Sequence, residues 1–180
     1  MKTAAFASIW IFTALGAGAA DWTPAVEVRH DETLCLTYQA RVDGGFLVVR
    51  AAIEPGWHTF AMDNKRRAEE KLAGRRSLGI DRPTEFVLAG LETVGPWYQS
   101  PPKDFSRPEL RSFTWGFERE AIFAAKVKRA GTAPAEIKVR GQACTETTCK
   151  NIDATISIPL SGANWNGAAA VNLSKMVQVR

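Results

Sequence analysis

The stretch Glu136-Ile137-Lys138-Val139-Arg140-Gly141-Gln142-Ala143-Cys144-Thr145-Glu146-Thr147-Thr148-Cys149-Lys150-Asn151-Ile152-Asp153-Ala154-Thr155-Ile156-Ser157-Ile158 carries most of the information in this chain. Residues 136–140 alternate polar and apolar, and residues 152–158 do the same until Pro159 ends the run. Strict alternation buries one face of a strand and leaves the other wet. Two half-buried antiparallel strands are therefore expected, joined by a short connection near the surface. That connection holds two of the three cysteines, and its purpose is the central question: a structural staple or a working dithiol.

Outward from this hairpin, the same short-period pattern recurs. In residues 33–42, Leu34, Leu36, Tyr38, Ala40 and Val42 share one phase, while Cys35, Thr37, Gln39 and Arg41 share the other. Asp43-Gly44-Gly45 signals a hairpin, because glycine accepts the positive φ that tight hairpins need. Residues 46–53 return as a strongly apolar strand of central character. Pro55-Gly56 fits the middle of a type II turn, and residues 57–62 read as a further strand. Strand character resumes over 84–88 and 121–128. Gly95-Pro96 and Pro101-Pro102 bracket Trp97 and Tyr98 in a segment read as irregular, and residues 112–117 are rich in aromatics. Residues 63–77 break the pattern. Helix formers run from Asn64 to Ala73, with Gly74 placed for a C-cap and only Ala68 and Leu72 as an apolar stripe, which describes a short solvated helical or irregular insertion near 64–76. Many short strands punctuated by Gly and Pro predict an all-β sandwich or barrel.

The chain has 180 residues, 46% hydrophobic and 23% charged, which suits one globular domain with a real core. Its +4 net charge is scattered, with no basic block interleaved with aromatics, so nucleic-acid binding is not supported. Residues 1–20 read as a secretory signal peptide. Lys2 supplies the charged start, residues 4–15 the apolar run, and Gly16-Ala17-Gly18-Ala19-Ala20 the small residues for cleavage. The apolar run is short for a membrane span and no second one follows, so stable membrane insertion is not expected. Loss of Lys2 with this segment lowers the formal charge from +4 to +3. Export, by expectation to the periplasm, puts the cysteines where disulfides persist. Residues 21–160 form the expected domain and residues 161–180 a tail.

The residues leave the staple-or-tool question open. A loop of about six residues closed by Cys144–Cys149 constrains the unfolded chain by only about 2 kcal/mol, whereas a Cys35–Cys144 bridge would contribute nearer 5 kcal/mol on the same model. A wet, short-loop bridge also suits exchange, yet close-spaced cysteines occur as simple hairpin staples too. Arg140 and Lys150 favour a thiolate and Glu146 opposes it. There is no Cys-x-x-Cys, G-x-S-x-G, H-E-x-x-H or phosphate-cradling loop. Cys35, His58, Cys144 and Cys149 would be the ligands of a metal site, but the second close-spaced ligand pair usual for structural zinc is absent, so no metal or cofactor is expected. Cys35 reads as a small buried group or a free thiol.

Further motifs, in order, carry a resemblance. They are Ile53-Glu54-Pro55-Gly56-Trp57-His58-Thr59-Phe60, Arg82-Pro83-Thr84-Glu85-Phe86, Gly95-Pro96-Trp97-Tyr98-Gln99-Ser100-Pro101-Pro102-Lys103-Asp104-Phe105 and Phe113-Thr114-Trp115-Gly116-Phe117. Gly141-Gln142-Ala143-Cys144 with Cys149 follows, and a last strand closes on Pro159-Leu160. Over roughly residues 33–160 the chain resembles the N-terminal periplasmic domain of the thiol:disulfide interchange protein DsbD, of the protein-disulfide reductase family. The resemblance implies an immunoglobulin-like antiparallel β-sandwich with a redox-active pair. That pair would pass electrons from a membrane-embedded thiol reductant to periplasmic thioredoxin-like proteins. It implies Cys149 as the attacking and Cys144 as the resolving residue, shielded by a cap at Phe113, Thr114, Trp115 and Gly116. Two departures stand out: four residues separate the cysteines, one fewer than in the best-known member, and Arg111 and Ser112 replace acidic residues before the cap aromatics. The competing expectation is a non-enzymatic partner-binding sandwich in which Cys144–Cys149 is a fixed staple.

Overall fold

A computed structural model of the chain describes residues 21–76, 79–161, 163–167, 169 and 171–180. The expected signal peptide lies outside the described residues. The strands are β1 (Val26–His30), β2 (Thr33–Asp43), β3 (Phe46–Ile53), β4 (His58–Phe60), β5 (Glu85–Ala89), β6 (Leu91–Gln99), β7 (Lys103–Asp104), β8 (Trp115–Phe117), β9 (Glu120–Arg129), β10 (Ala135–Cys144), β11 (Cys149–Ile158) and β12 (Val177–Gln178). One helix, α1 (Asn64–Leu72), lies between β4 and β5. The first sheet runs β1-β2-β3-β9-β6-β12; the second runs β11-β10-β4-β8-β7, with β5 beside the first half of β10. All strand pairs are antiparallel. The protein is an all-β, immunoglobulin-like sandwich.

Local chemistry explains the joints. Gly44 and Gly45, at φ +59° and +72°, form the two-residue turn between β2 and β3, and both centres need the left-handed region. The Trp57 N–H donates to the Glu54 carbonyl (3.0 Å) across Pro55-Gly56, with Gly56 at φ +86°, as a type II turn requires. The segment read as irregular around Gly95-Pro96 is in fact part of β6. Its register against β9 breaks between Thr93 and Trp97, which lets the N–H-free Pro96 sit in a strand without interrupting a ladder bond.

The core forms where the apolar phases of the two sheets face each other. Leu36, Tyr38, Leu47, Val49 and Phe123 of the first sheet pack with Ile137, Val139, Ile152 and Ile156 of the second. Phe123 joins the layers directly, with edge-to-face contacts to Phe86 (5.1 Å) and Phe117 (5.5 Å). Cys35 is fully buried in this core. Burial raises the pKa of its thiol, more than His30, Lys150 and Arg29 lower it, so Cys35 stays a protonated, small apolar group.

The insertion is a true helix whose buried residues are Ala68 and Leu72, as expected, together with Asn64. It ends with Ala73, not Gly74, in the left-handed cap position; Gly74 follows with positive φ as well. Close to the C-terminus the chain is tied down: Val177 and Gln178 pair with Gln99 and Tyr98, respectively, and the Val179 N–H donates to the Trp97 carbonyl.

Asn64 is the polar pin of the second sheet. Fully buried, it donates to the Asp81 carbonyl (2.9 Å) and accepts from the Trp115 N–H (2.7 Å) and the Thr114 hydroxyl (3.3 Å). Asn64→Ala strands a buried backbone donor and a carbonyl. It is expected to lower unfolding free energy by about 3 kcal/mol. Urea denaturation should show this as a lower midpoint, while Lys65→Ala on the same helix changes stability by less than about 0.5 kcal/mol.

Candidate functional site

The site begins at the end of the hairpin that the sequence marks most clearly. Strands β10 and β11 pair in unbroken register from Ala135↔Ile158 to Cys144↔Cys149. Cys144 and Cys149 are disulfide-bonded, with their Cα atoms 4.0 Å apart. Thr145 shapes the connecting loop: its N–H donates to the Thr148 carbonyl (2.8 Å), and its hydroxyl accepts from the Thr147 and Thr148 N–H groups (3.2 and 3.1 Å). His30 Nε2 lies 3.0 Å from the Thr148 hydroxyl, fastening the loop to β1.

Strand periodicity decides where each sulfur points. Ile137, Val139 and Ala143 of β10 belong to the core. Cys144 is in the opposite phase, on the outer face of the second sheet. There it is nevertheless only 2% exposed, because other elements cover that face. Cys149 sits on the outermost strand of the sheet and is exposed. One sulfur is thus covered and the other reachable.

Two elements border this face. On one side β4 pairs with β10, placing His58 directly opposite Cys144 and Thr59 opposite Ala143. In front, residues 105–114 form an arch, with the Phe105 N–H donating to the Thr114 carbonyl (2.9 Å) and the Arg107 N–H to the Ser112 carbonyl (2.8 Å). A 3₁₀ turn, Pro108–Leu110, caps the arch and carries Leu110, which is 48% exposed despite its apolar side chain. Phe105 at the base stacks at a tilt on His58, ring centres 5.3 Å apart, and Phe60 meets the same ring edge-on at 5.3 Å. These walls enclose an open cleft of about 1240 Å³ lined by both cysteines, His58, Phe105, Arg107 and Leu110.

Of the residues expected from sequence, Cys144 and Cys149 are brought together at this cleft; Phe113 and Trp115 do not line it. Phe113 packs on the core and Trp115 is 9% exposed within it, because β8 is an interior strand between β4 and β7. Of the four expected cap residues only Thr114 lines the cleft. Gly116 is fixed by a close approach: a Cβ there would fall within contact distance of the Thr59 carbonyl. The apolar side chains lining the cleft include Pro55, Trp57, Phe60, Phe105 and Leu110, of which only Leu110 lies outside the motifs quoted from the sequence. A lone Leu in Ser106-Arg107-Pro108-Glu109-Leu110-Arg111, with a proline-marked turn, was the available signal.

Electrostatics around the cleft is mixed. Burial lowers the pKa of His58, and Arg107 acts in the same direction, against the opposing pull of Asp81 and Glu118, so the imidazole is neutral at neutral pH. Among the described residues no group of three or more His, Cys, Asp or Glu side chains is arranged to hold a metal ion, and no helix is long and apolar enough to cross a membrane.

No protein-family model matches the sequence, and no curated protein matches it. Solved structures do match. The N-terminal periplasmic domain of ScsB from Proteus mirabilis superposes with a TM-score of 0.52 at 13% identity, over 78% of this chain and 51% of that one. The N-terminal domain of Neisseria meningitidis DsbD, in its reduced form, gives a TM-score of 0.43 at 14% identity, over 81% of this chain and 91% of that one. The chain spans about half the length of the ScsB domain. At these identities the property shared with the ScsB domain is the fold, an all-β sandwich.

The asymmetry of exposure gives a direct expectation. After reduction, alkylation should label Cys149 first, Cys144 at least about tenfold more slowly, and Cys35 only on unfolding, as read by peptide mass spectrometry.

Proposed function

We propose that this chain is an exported thiol:disulfide exchange module. Its Cys144/Cys149 pair passes electrons between a membrane-embedded thiol reductant and periplasmic thioredoxin-like proteins, making it a protein-disulfide reductase component. Residues 1–20 act as the signal peptide that delivers it, and residues 21–160 form the working domain, with 161–180 attached. The observation that carries this reading is the placement of the disulfide in the wall of an open cleft, one sulfur exposed and its partner covered. A bridge that only closes a short hairpin loop contributes about 2 kcal/mol and gains nothing from a cleft.

In the reduced module the exposed Cys149 thiolate attacks a partner disulfide and displaces one partner thiolate. A mixed disulfide forms. Cys144 then attacks the Cys149 sulfur, the second partner thiolate leaves, and the Cys144–Cys149 bridge re-forms with two electrons delivered to the partner. The reductant restores the dithiol by the reverse sequence. Leu110 and Phe105, on the arch, take the shielding role in place of Phe113 and Trp115. They limit access by small oxidants and offer an apolar edge to a docking protein.

Trapping separates this reading from a fixed staple. Cys144→Ser leaves Cys149 unable to be resolved and should accumulate mixed disulfides with exported thioredoxin-like proteins, whereas Cys149→Ser should give none. The pair should equilibrate in glutathione buffers. A potential below about −300 mV together with no adduct from either variant makes the bridge structural and overturns the proposal.

A further inference from the structure

Thiol–disulfide exchange needs a proton acceptor for the covered cysteine, and the structure places one candidate beside it. Cys144 lies on the outer face of the second sheet and is only 2% exposed, with little access to bulk water as a proton acceptor. Yet in the proposed cycle Cys144 must become a thiolate to resolve the mixed disulfide. His58 is its direct register partner across β4 and β10. Opposed residues of an antiparallel pair project to the same face, with Cβ atoms about 5 Å apart. Both side chains line the same cleft.

Three features suit His58 to this task. Its ring is held in place by Phe60 and Phe105, both 5.3 Å away between ring centres. Among the described residues no hydrogen bond occupies its ring nitrogens, so a lone pair is free to accept. Burial keeps it neutral. The charged groups that act on it come from every neighbouring element: Asp81 from the segment before β5, Glu118 after β8, and Arg107 from the arch. Glu54, Arg119 and Glu146 also line the cleft. None of the carboxylates is in register with Cys144; His58 is.

We infer that His58 is the general base of the resolving step: it takes the proton from the Cys144 thiol as that sulfur attacks Cys149. The S–S bond to the partner breaks, the Cys144–Cys149 bond forms, and the departing partner thiolate recovers the proton from the imidazolium. Protons and electrons balance without another reactant. The attacking sulfur Cys149, exposed to solvent, needs no such help. This inference rests on the exchange reading of the pair.

The test is rapid mixing of the reduced mature chain with Ellman's reagent, an aromatic disulfide whose released thiolate is coloured. Two equivalents should appear in two phases, the first from attack by Cys149 and the second from resolution by Cys144. In the unaltered chain the second phase should fall as pH drops through the imidazole pKa, below about 6.5. His58→Gln should leave the first phase unchanged and slow the second by about 100-fold at neutral pH, with a rate that climbs with hydroxide into the thiol range. A second measurement leaves His58 intact: in Cys149→Ser, alkylation of Cys144 against pH should show the imidazole inflection. A His58→Gln second phase with unchanged rate and pH profile, or a Cys144 alkylation profile with a single thiol inflection, overturns the inference and leaves the exchange reading standing. An unaltered chain that releases only the first equivalent overturns both.

Discussion

The two-residue period of β10, paired along both edges, is the constraint on which the rest depends. Ile137, Val139 and Ala143 are committed to the core by burial, and the register to β11 is continuous over ten pairs. A slip of one residue would expose all three and bury Glu136, Lys138 and Arg140. Cys144 therefore cannot be a core residue. Its sulfur must face outward, and it is covered only because other parts of the chain are brought over that face. The burial of a core cysteine such as Cys35 is a by-product of folding. The burial of Cys144 is a construction.

That construction is built around the helical insertion. Taken alone, α1 is a charged, solvated helix, whose exposed Lys65–Glu69 and Arg66–Glu70 pairs add only about 0.3–0.5 kcal/mol each. Its first residue does far more. Asn64 hydrogen-bonds the segment bearing Asp81 and the base of the arch at Thr114 and Trp115. Thr84 continues the same network, donating to the Phe60 carbonyl (2.7 Å) on the strand that carries His58. The insertion, the arch and β4 are thereby locked to one another, and the cleft wall is set by buried polar bonds that have no alternative partners in the core.

Much of the sandwich was legible because its information is local. Alternation in residues 33–42, 121–128, 136–140 and 152–158, and the turn residues at Gly44-Gly45 and Pro55-Gly56, each specify structure within a few positions. Three features were not. The β6 strand hid behind Gly95-Pro96, because a register break admits a proline that the simple pattern forbids. β12 is two residues long and exists only as an addition to the edge of β6. The cleft depends on contacts between residues far apart in the chain. That His58 faces Cys144 is a property of a strand pairing across 86 positions, the difference between 144 and 58, and no periodicity encodes it. That Phe105 and Leu110 line the cleft while Phe113 and Trp115 do not has the same origin: the latter two were drawn toward the core, as large apolar groups are, while a less conspicuous leucine was left at the arch tip.

The energetics of the hairpin bears on how such a pair can change state. The β10–β11 ladder is complete without the disulfide. The loop is closed independently by the Thr145 bonds to Thr147 and Thr148 and by the His30–Thr148 contact. Because the bridge spans a short loop already held shut, breaking it costs about 2 kcal/mol at most on chain-entropy grounds. A bridge closing a long loop would bind the redox state of the sulfurs to the stability of the whole domain. Here the two are nearly uncoupled on chain-entropy grounds, and the bridge joins an exposed residue to a buried one whose register partner is an imidazole. Under the exchange reading proposed for this pair, a dithiol works best where neither redox state has to refold the protein, and the short Cys144–Cys149 spacing suits that requirement.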